Sequence, residues 1–143
     1  MADVTINPAD VVPPTANTTS HLTQFSIIAG EAIDAGEIVC MLESDGKYYL
    51  ADADDTNKQN VKGIAGNNAA VAGQRIDIIT ASPALVVGTH GVAVGTPLFA
   101  SETPGKLCPY ADLTAGAKPV LVAFAQSATA LQIVLAPCSE VLP

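Results

Sequence analysis

The sequence predicts an all-β fold: a compact small β-barrel or sandwich, jelly-roll or tulip-like, with an extended N-terminal arm. From Gln24 onward, short apolar stretches are separated by Gly, Pro, Asn and Asp, which is typical of strands joined by tight turns. The 49% of apolar residues are mainly Ala, Val, Leu and Ile, and Trp is absent, so the predicted core is aliphatic. A chain of 143 residues is the size of one domain and can bury roughly two thirds of its unfolded surface.

The first 23 residues form the predicted arm, and residues 24–143 form the single β domain. Pro8, Pro13 and Pro14 stand among small polar residues, where proline removes backbone donors and disfavours both a helix and a central strand. The one apolar cluster of the arm is Val11, Val12, Pro13 and Pro14, and it suits a segment that lies in a groove on another subunit. We therefore take these four residues as candidate partner-binding residues, with an unattached terminus as the alternative.

Ten strands are expected in the β domain, and the evidence for helices is thin. One helical turn is expected at residues 55–59, where Asp54 or Asp55 could cap it. The predicted strands cover residues 24–28, 38–43, 47–52, 61–65, 75–80, 84–87, 97–100, 106–110, 119–125 and 130–135.

A β-hairpin is predicted around Asp45-Gly46, a pair that suits a two-residue turn with positive φ values. In that register Leu42 faces Tyr49 and Cys40 faces Ala51 on one side of the ribbon. Both sides of the ribbon carry apolar residues, so we expect both to be covered.

Small residues followed by glycine recur along the chain and predict tight corners between short strands, because glycine accepts conformations that other residues avoid. The recurrence favours a sharply folded barrel over a flat sheet, and it suggests two related halves. The pairs are Ala29-Gly30, Ala35-Gly36, Ala65-Gly66, Ala72-Gly73, Val87-Gly88, Val94-Gly95 and Ala115-Gly116.

Charge argues against nucleic acid and against an anionic membrane as partners. The net charge is −8, and only six Lys and Arg residues are available to neutralise phosphates. Ten of the fourteen acidic residues fall between Asp3 and Asp55, which indicates either a solvated face or an acidic rim that meets a basic partner. The chain begins without the pattern of a signal peptide, and no apolar stretch approaches the length of a membrane span.

Catalytic, metal-binding and cofactor-binding patterns are not found, so we expect a protein that is not an enzyme and needs no cofactor or metal. His90 lies in a predicted loop, where a lone imidazole is expected to be solvated or to cap the backbone. The acidic run from Asp52 to Asp55 lacks the glycine and the distal glutamate of a calcium loop. Cys40, Cys108 and Cys138 have neither disulfide nor metal-ligand spacing and are expected to be buried thiols in a reducing compartment.

The stretch AGEAIDAGEIVCMLESDGKYYLADA, followed by VKGIAGNNAAVAGQRIDIIT and GVAVGTPLFAS, resembles bacteriophage capsid decoration or cement proteins. The resemblance covers about residues 29–100, and Cys40 stands where an aromatic residue is common in the family. The matching segments are residues 29–39, 45–47, 63–65 and 72–76.

The resemblance implies a structural protein of the virion, made in the bacterial cytoplasm and bound to the outer capsid surface. Such a protein is usually a homotrimer that ties neighbouring major capsid subunits together at threefold or quasi-threefold points. No binding residue carries over, because the contacts of the family lie in variable arms and loops. The alternative is a non-enzymatic module of a phage fibre or appendage that recognises host glycan, for which Tyr48, Tyr49 and Tyr110 are the available aromatic platforms.

Overall fold

The computed structural model describes residues 3–12, 22–136 and 140–143. The fold is all-β, as predicted, with 40% strand and 5% helix, and its antiparallel sheet curls into a half-barrel. The strands are β1 (Leu22–Ile28), β2 (Ile38–Met41), β3 (Tyr48–Leu50), β4 (Val61–Ala65), β5 (Arg75–Val86), β6 (Pro97–Ala100), β7 (Leu107–Pro109), β8 (Leu121–Ala125) and β9 (Ala130–Ala136).

The long strand β5 joins the two halves of the sheet, whose order is β3-β2-β4-β5-β9-β8-β6-β7. Its first part pairs with β1 and β4, and its second part pairs with β9. The predicted strands 75–80 and 84–87 are therefore one strand. Pro83 lies at a register shift between Ser82 and Leu85, where a residue without an N–H group is tolerated.

The two halves have the same connectivity, in agreement with the repetition seen in the sequence. In the first half β2 pairs with β3 and β4, and β4 pairs with β5. In the second half β6 pairs with β7 and β8, and β8 pairs with β9. Gly36 and Gly46 have counterparts 59 positions later at Gly95 and Gly105, and all four have positive φ.

The β2–β3 hairpin is present, but its predicted register is wrong by two residues. Cys40 pairs with Tyr49 and Met41 with Tyr48, so the loop spans residues 43–46. Asp45 does not have the positive φ that a two-residue turn requires. Its side chain instead accepts hydrogen bonds from the backbone N–H of Lys47, at 2.9 Å, and from the hydroxyl of Tyr49, at 2.6 Å. A shift of two keeps each side chain on its predicted face.

Two apolar cores cover the two faces of this hairpin, as expected. The main core contains residues of both halves, including Ile38 and Cys40 of β2 and Leu98 of β6. A smaller core contains Val39 and Tyr48 and lies on the other face of the first half. It is closed by the segments 29–36 and 66–74, whose backbones pair at the bridge between residues 33 and 69. We call these two segments the cover of the first half.

The helical turn expected at residues 55–59 is not formed. The chain makes a turn in which the carbonyl of Asp55 accepts from the N–H of Lys58, and the Asp55 side chain accepts from the N–H of Asn57. In the described residues, short 3-10 helices occur at Pro8–Asp10 and Tyr110–Asp112.

Candidate functional site: the N-terminal segment and its groove

The N-terminal segment, residues 3–12, is attached to both edges of the second half of the sheet. The N–H of Val4 donates to the carbonyl of Leu107 in β7, at 2.8 Å. The N–H of Val12 donates to the carbonyl of Val86 in β5, at 3.0 Å. Because β7 ends the sheet and this part of β5 pairs with β9 on its other side, the segment ties two strand edges together.

A turn at Pro8 lets the segment change direction between its two attachments. The side chain of Asn7 accepts a hydrogen bond from the N–H of Ala9, at 3.1 Å, and caps the 3-10 helix Pro8–Asp10. Proline is favoured at the first helical position because its missing donor is not needed there. The expectation that the prolines disfavour a helix in the arm is therefore wrong for these three residues.

The predicted partner-binding cluster is divided by the structure. Val11 is 6% exposed and belongs to the main core of its own chain, together with Val4. Val12 is half-buried at the strand edge. Pro13 and Pro14 lie outside the described residues. Val11 packs inside its own chain, so among the described members of the cluster Val12 is the one with accessible surface that a partner could contact.

Glycines form the groove in which the segment lies. At Gly36, where φ is +90°, an added Cβ would lie 2.6 Å from Cγ2 of Ile6. At Gly88, where φ is +78°, it would lie 2.6 Å from Cβ of Asp10. Two of the small-residue–glycine pairs found in the sequence are thus places where the N-terminal segment approaches the backbone. The pairs were predicted to form tight corners between strands, and no sequence pattern indicated that the N-terminal segment would contact them.

A cavity of about 110 Å³ remains between the segment and the sheet. Glu37 lies at its wall, accepts a hydrogen bond from the N–H of Asp34 at 2.7 Å, and is 3.8 Å from the ammonium of Lys106. Burial raises the pKa of Glu37, and this backbone hydrogen bond and Lys106 offset part of that rise. The cavity is smaller than ordinary ligand pockets, so we interpret it as a gap in the packing between the segment and the sheet.

A wider, open and mostly polar groove of about 550 Å³ lies beside the β2–β3 loop. Glu43 and Lys62 give it one charge of each sign, and Met41 and Leu42 give it an apolar part. The other lining residues are Ser44, Thr56, Asn57 and Asn60. The groove has no aromatic residue in its lining.

The acidic run from Asp52 to Asp55 contains one carboxyl group with a strongly shifted pKa. Burial, and then a hydrogen bond with Asp54, raise the pKa of Asp52 to about 6. Among the residues that the structure describes, no three His, Cys, Asp or Glu side chains are placed to hold a metal ion.

His90 caps a loop, which was one of its two expected roles. The ring is buried, its Nδ1 accepts from the N–H of Val92 at 3.1 Å, and its Nε2 lies 2.7 Å from the carbonyl of Ser127. Since Nδ1 accepts, Nε2 carries the proton that is donated to this carbonyl.

The expected burial of the cysteines is confirmed for two of the three. Cys40 and Cys108 are buried free thiols, and burial raises the pKa of each to about 11. Cys138 lies outside the described residues.

The chain matches no protein-family model, and no curated protein is significantly similar to it. Within the described ranges, no helix has the length and apolar character needed to cross a bilayer.

Proposed function

We propose that this protein is a non-enzymatic capsid decoration or cement protein, which binds the outer surface of a phage head and stabilises contacts between major capsid subunits. A protein of this kind needs a stiff body, an anchored binding segment and more than one copy per contact point. Multiple copies raise the effective concentration of each binding segment, so modest individual contacts hold firmly.

The observation that supports this proposal most is that β5 holds the described chain on both sides of residues 13–21. The hydrogen bond of Val12 to Val86 fixes one end of residues 13–21, and β1 fixes the other end at Leu22, which pairs with Ala81. Val12 and Leu22, the described residues on either side of 13–21, are thus both held by β5. A stretch anchored at both ends loses less conformational freedom on binding than a free tail, which favours a fastening role.

The test replaces residues 13–20 with a Gly-Ser sequence of equal length, which removes Pro13 and Pro14 but keeps the attached segment 3–12. Wild-type protein and variant are mixed with undecorated capsids of a phage whose genome carries this gene, and co-sedimentation is measured. We expect the variant to remain folded and to lose most of its capsid binding. Equal co-sedimentation of the two proteins would remove these residues from the mechanism.

A matched control is Val71→Ser, which changes an exposed apolar residue of the cover, 60% accessible, and leaves the N-terminal region intact. We expect it to co-sediment as the wild type does. Loss of binding in Val71→Ser, with binding retained when residues 13–20 are replaced, would place the capsid contact on the cover.

The second candidate function is glycan recognition by a fibre or appendage module. Tyr110 is 52% exposed and its ring contacts Phe99, so it offers an aromatic surface to a sugar. Tyr48 is buried, and the hydroxyl of Tyr49 is bonded to Asp45. A glycan array with wild-type protein and Tyr110→Ala tests this candidate, since a specific signal lost in the variant would support it over capsid binding.

A further inference from the structure

We propose that the hydroxyl of Tyr49 protects the Asp45-Gly46 peptide bond from rearrangement to isoaspartate. Asp45-Gly46 is the only Asp-Gly pair in the sequence, which contains no Asn-Gly pair. The pair lies in the exposed β2–β3 loop at residues 43–46. Glycine after aspartate favours this reaction, because glycine has no side chain to hinder the approach of its nitrogen and its backbone adopts many conformations. The pair is therefore a site of spontaneous covalent modification unless local contacts slow the reaction.

The rearrangement passes through a cyclic succinimide. The Gly46 nitrogen bonds to Cγ of Asp45, and the carboxyl OH group leaves as water with the proton of that nitrogen. A second water molecule then opens the ring. Attack at the side-chain carbonyl restores aspartate, whereas attack at the main-chain carbonyl leaves Gly46 joined through Cγ, which is isoaspartate. Ring closure therefore needs a protonated Asp45 carboxyl group and a Gly46 nitrogen that is free to approach it.

Both reacting groups make hydrogen bonds that ring closure would disturb. The N–H of Gly46 donates to the carbonyl of Leu42, at 2.8 Å. The two carboxylate oxygens of Asp45 accept from the N–H of Lys47, at 2.9 Å, and from the hydroxyl of Tyr49, at 2.6 Å. The bond from Tyr49, and then the bond from Lys47, lower the pKa of Asp45. Less of the protonated carboxyl group, which the reaction requires, is therefore present.

Contacts outside the loop hold the Tyr49 ring in place. The ring lies against Gly30 of the cover, where an added Cβ would overlap the ring carbons. The ammonium of Lys58 lies 5.7 Å from the ring centroid, within the range of a cation–π contact. The hydrogen bond to Asp45 raises the pKa of Tyr49, so the hydroxyl keeps its proton and stays a donor near neutral pH. The loop thus receives a hydrogen bond from a residue whose position the loop does not determine.

The second half of the sheet contains a counterpart of this loop that cannot react. Residues 43–47 read Glu-Ser-Asp-Gly-Lys, and residues 102–106, which lie 59 positions later, read Glu-Thr-Pro-Gly-Lys. Strands β6 and β7 pair in the same register as β2 and β3. Pro104 stands at the position of Asp45, so a hairpin of this register forms without an aspartate there. The variant Asp45→Pro therefore copies a turn that the chain already uses and has no carboxyl group to close the ring.

The test follows isoaspartate at this site during incubation near neutral pH, by peptide mapping with mass spectrometry and by enzymatic methylation of isoaspartyl carboxyl groups. Tyr49→Phe keeps the ring and removes the hydroxyl, and it should form isoaspartate at least about threefold faster than the wild type, the factor expected from one lost hydrogen bond. Tyr110→Phe removes a hydroxyl from a tyrosine that is 52% exposed and should keep the wild-type rate. Asp45→Pro gives the background from the rest of the chain.

The wild type unfolded in urea gives the rate of the unprotected pair, because the hydrogen bonds of the loop are lost there. This rate should exceed that of the native protein, with native Tyr49→Phe between the two. Circular dichroism establishes that the variants are folded, and Tyr49→Leu replaces Tyr49→Phe if the latter does not fold. A native wild type that rearranges as fast as the unfolded chain, or a folded Tyr49 variant with the wild-type rate, would overturn the proposal. Neither measurement needs a capsid.

Discussion

Truncation of Val11 tests whether the N-terminal segment is part of the folded body. In Val11→Ala two methyl groups are lost from a side chain that is 6% exposed and packs in the main core. Transfer alone accounts for about 1.6 kcal/mol, at ~0.8 kcal/mol for each buried carbon, and the residual cavity adds to this. We expect the free energy of unfolding to fall by about 2 to 3 kcal/mol, and Tm to fall by roughly 5 to 10 °C for a domain of this size.

The assay is equilibrium unfolding in urea, read by circular dichroism, with the slope and the midpoint fitted separately. Val94→Ala is the control, because Val94 is 68% exposed and its truncation should change stability by less than about 0.5 kcal/mol. We expect a lower midpoint with an unchanged slope for the Val11 variant. If the two variants are equally stable, the segment is not packed on the body, and the reasoning from its hydrogen bonds to Val86 and Leu107 fails.

Three further predictions follow from the same contacts. In urea titrations, Gly36→Ala should lower the free energy of unfolding more than Gly46→Ala does. Both glycines have positive φ, but only the methyl group added at Gly36 would collide with the N-terminal segment. Equal losses in the two variants would contradict this. The pKa of Asp52 is about 6 in the folded protein and ordinarily 3.8, so folding favours the protonated carboxyl group. Its contribution to the free energy of unfolding is therefore fully present below about pH 4 and is lost as the pH rises through about 6. Asp52→Asn should therefore gain stability relative to the wild type across that interval, and a constant difference would refute the assignment. In Cys138→Ser, Cys40 and Cys108 should not react with a thiol reagent at pH 8 until urea is added, because both thiols are buried. Rapid labelling of the native protein would contradict their burial.

Most strands could be predicted because turn residues interrupt apolar runs at short intervals. Strands β4 and β6 begin and end where the sequence places them. The division of β5 was wrong because Pro83 normally ends a strand, and here a register shift accommodates it within one. That register shift depends on the pairing of β5 with β9, and the residues around Pro83 alone do not predict this pairing.

The hairpin loop shows why register is harder to predict than the strands themselves. The Asp45-Gly46 pair correctly marked the turn, but the turn type depends on which hydrogen bonds the Asp45 side chain makes. Tyr49, four residues later, provides one of those bonds. The predicted faces of the hairpin were nevertheless correct, because a shift by two residues leaves each side chain on the same side of the sheet.

The candidate site was only partly accessible from the sequence. Val11 to Pro14 were identified as an apolar cluster, but composition cannot distinguish a residue that packs on its own chain from one that binds a partner. The burial of Val11 follows from contacts with residues distant in sequence, such as those around Gly36.

The attachment of Val4 to Leu107 has a consequence for the order of events during synthesis. The segment is synthesised about a hundred residues before the strand edge that receives Val4, so this hydrogen bond cannot form until β7 has been made. This contact thus joins residues far apart in sequence, and it adds a backbone hydrogen bond to the strand that ends the sheet.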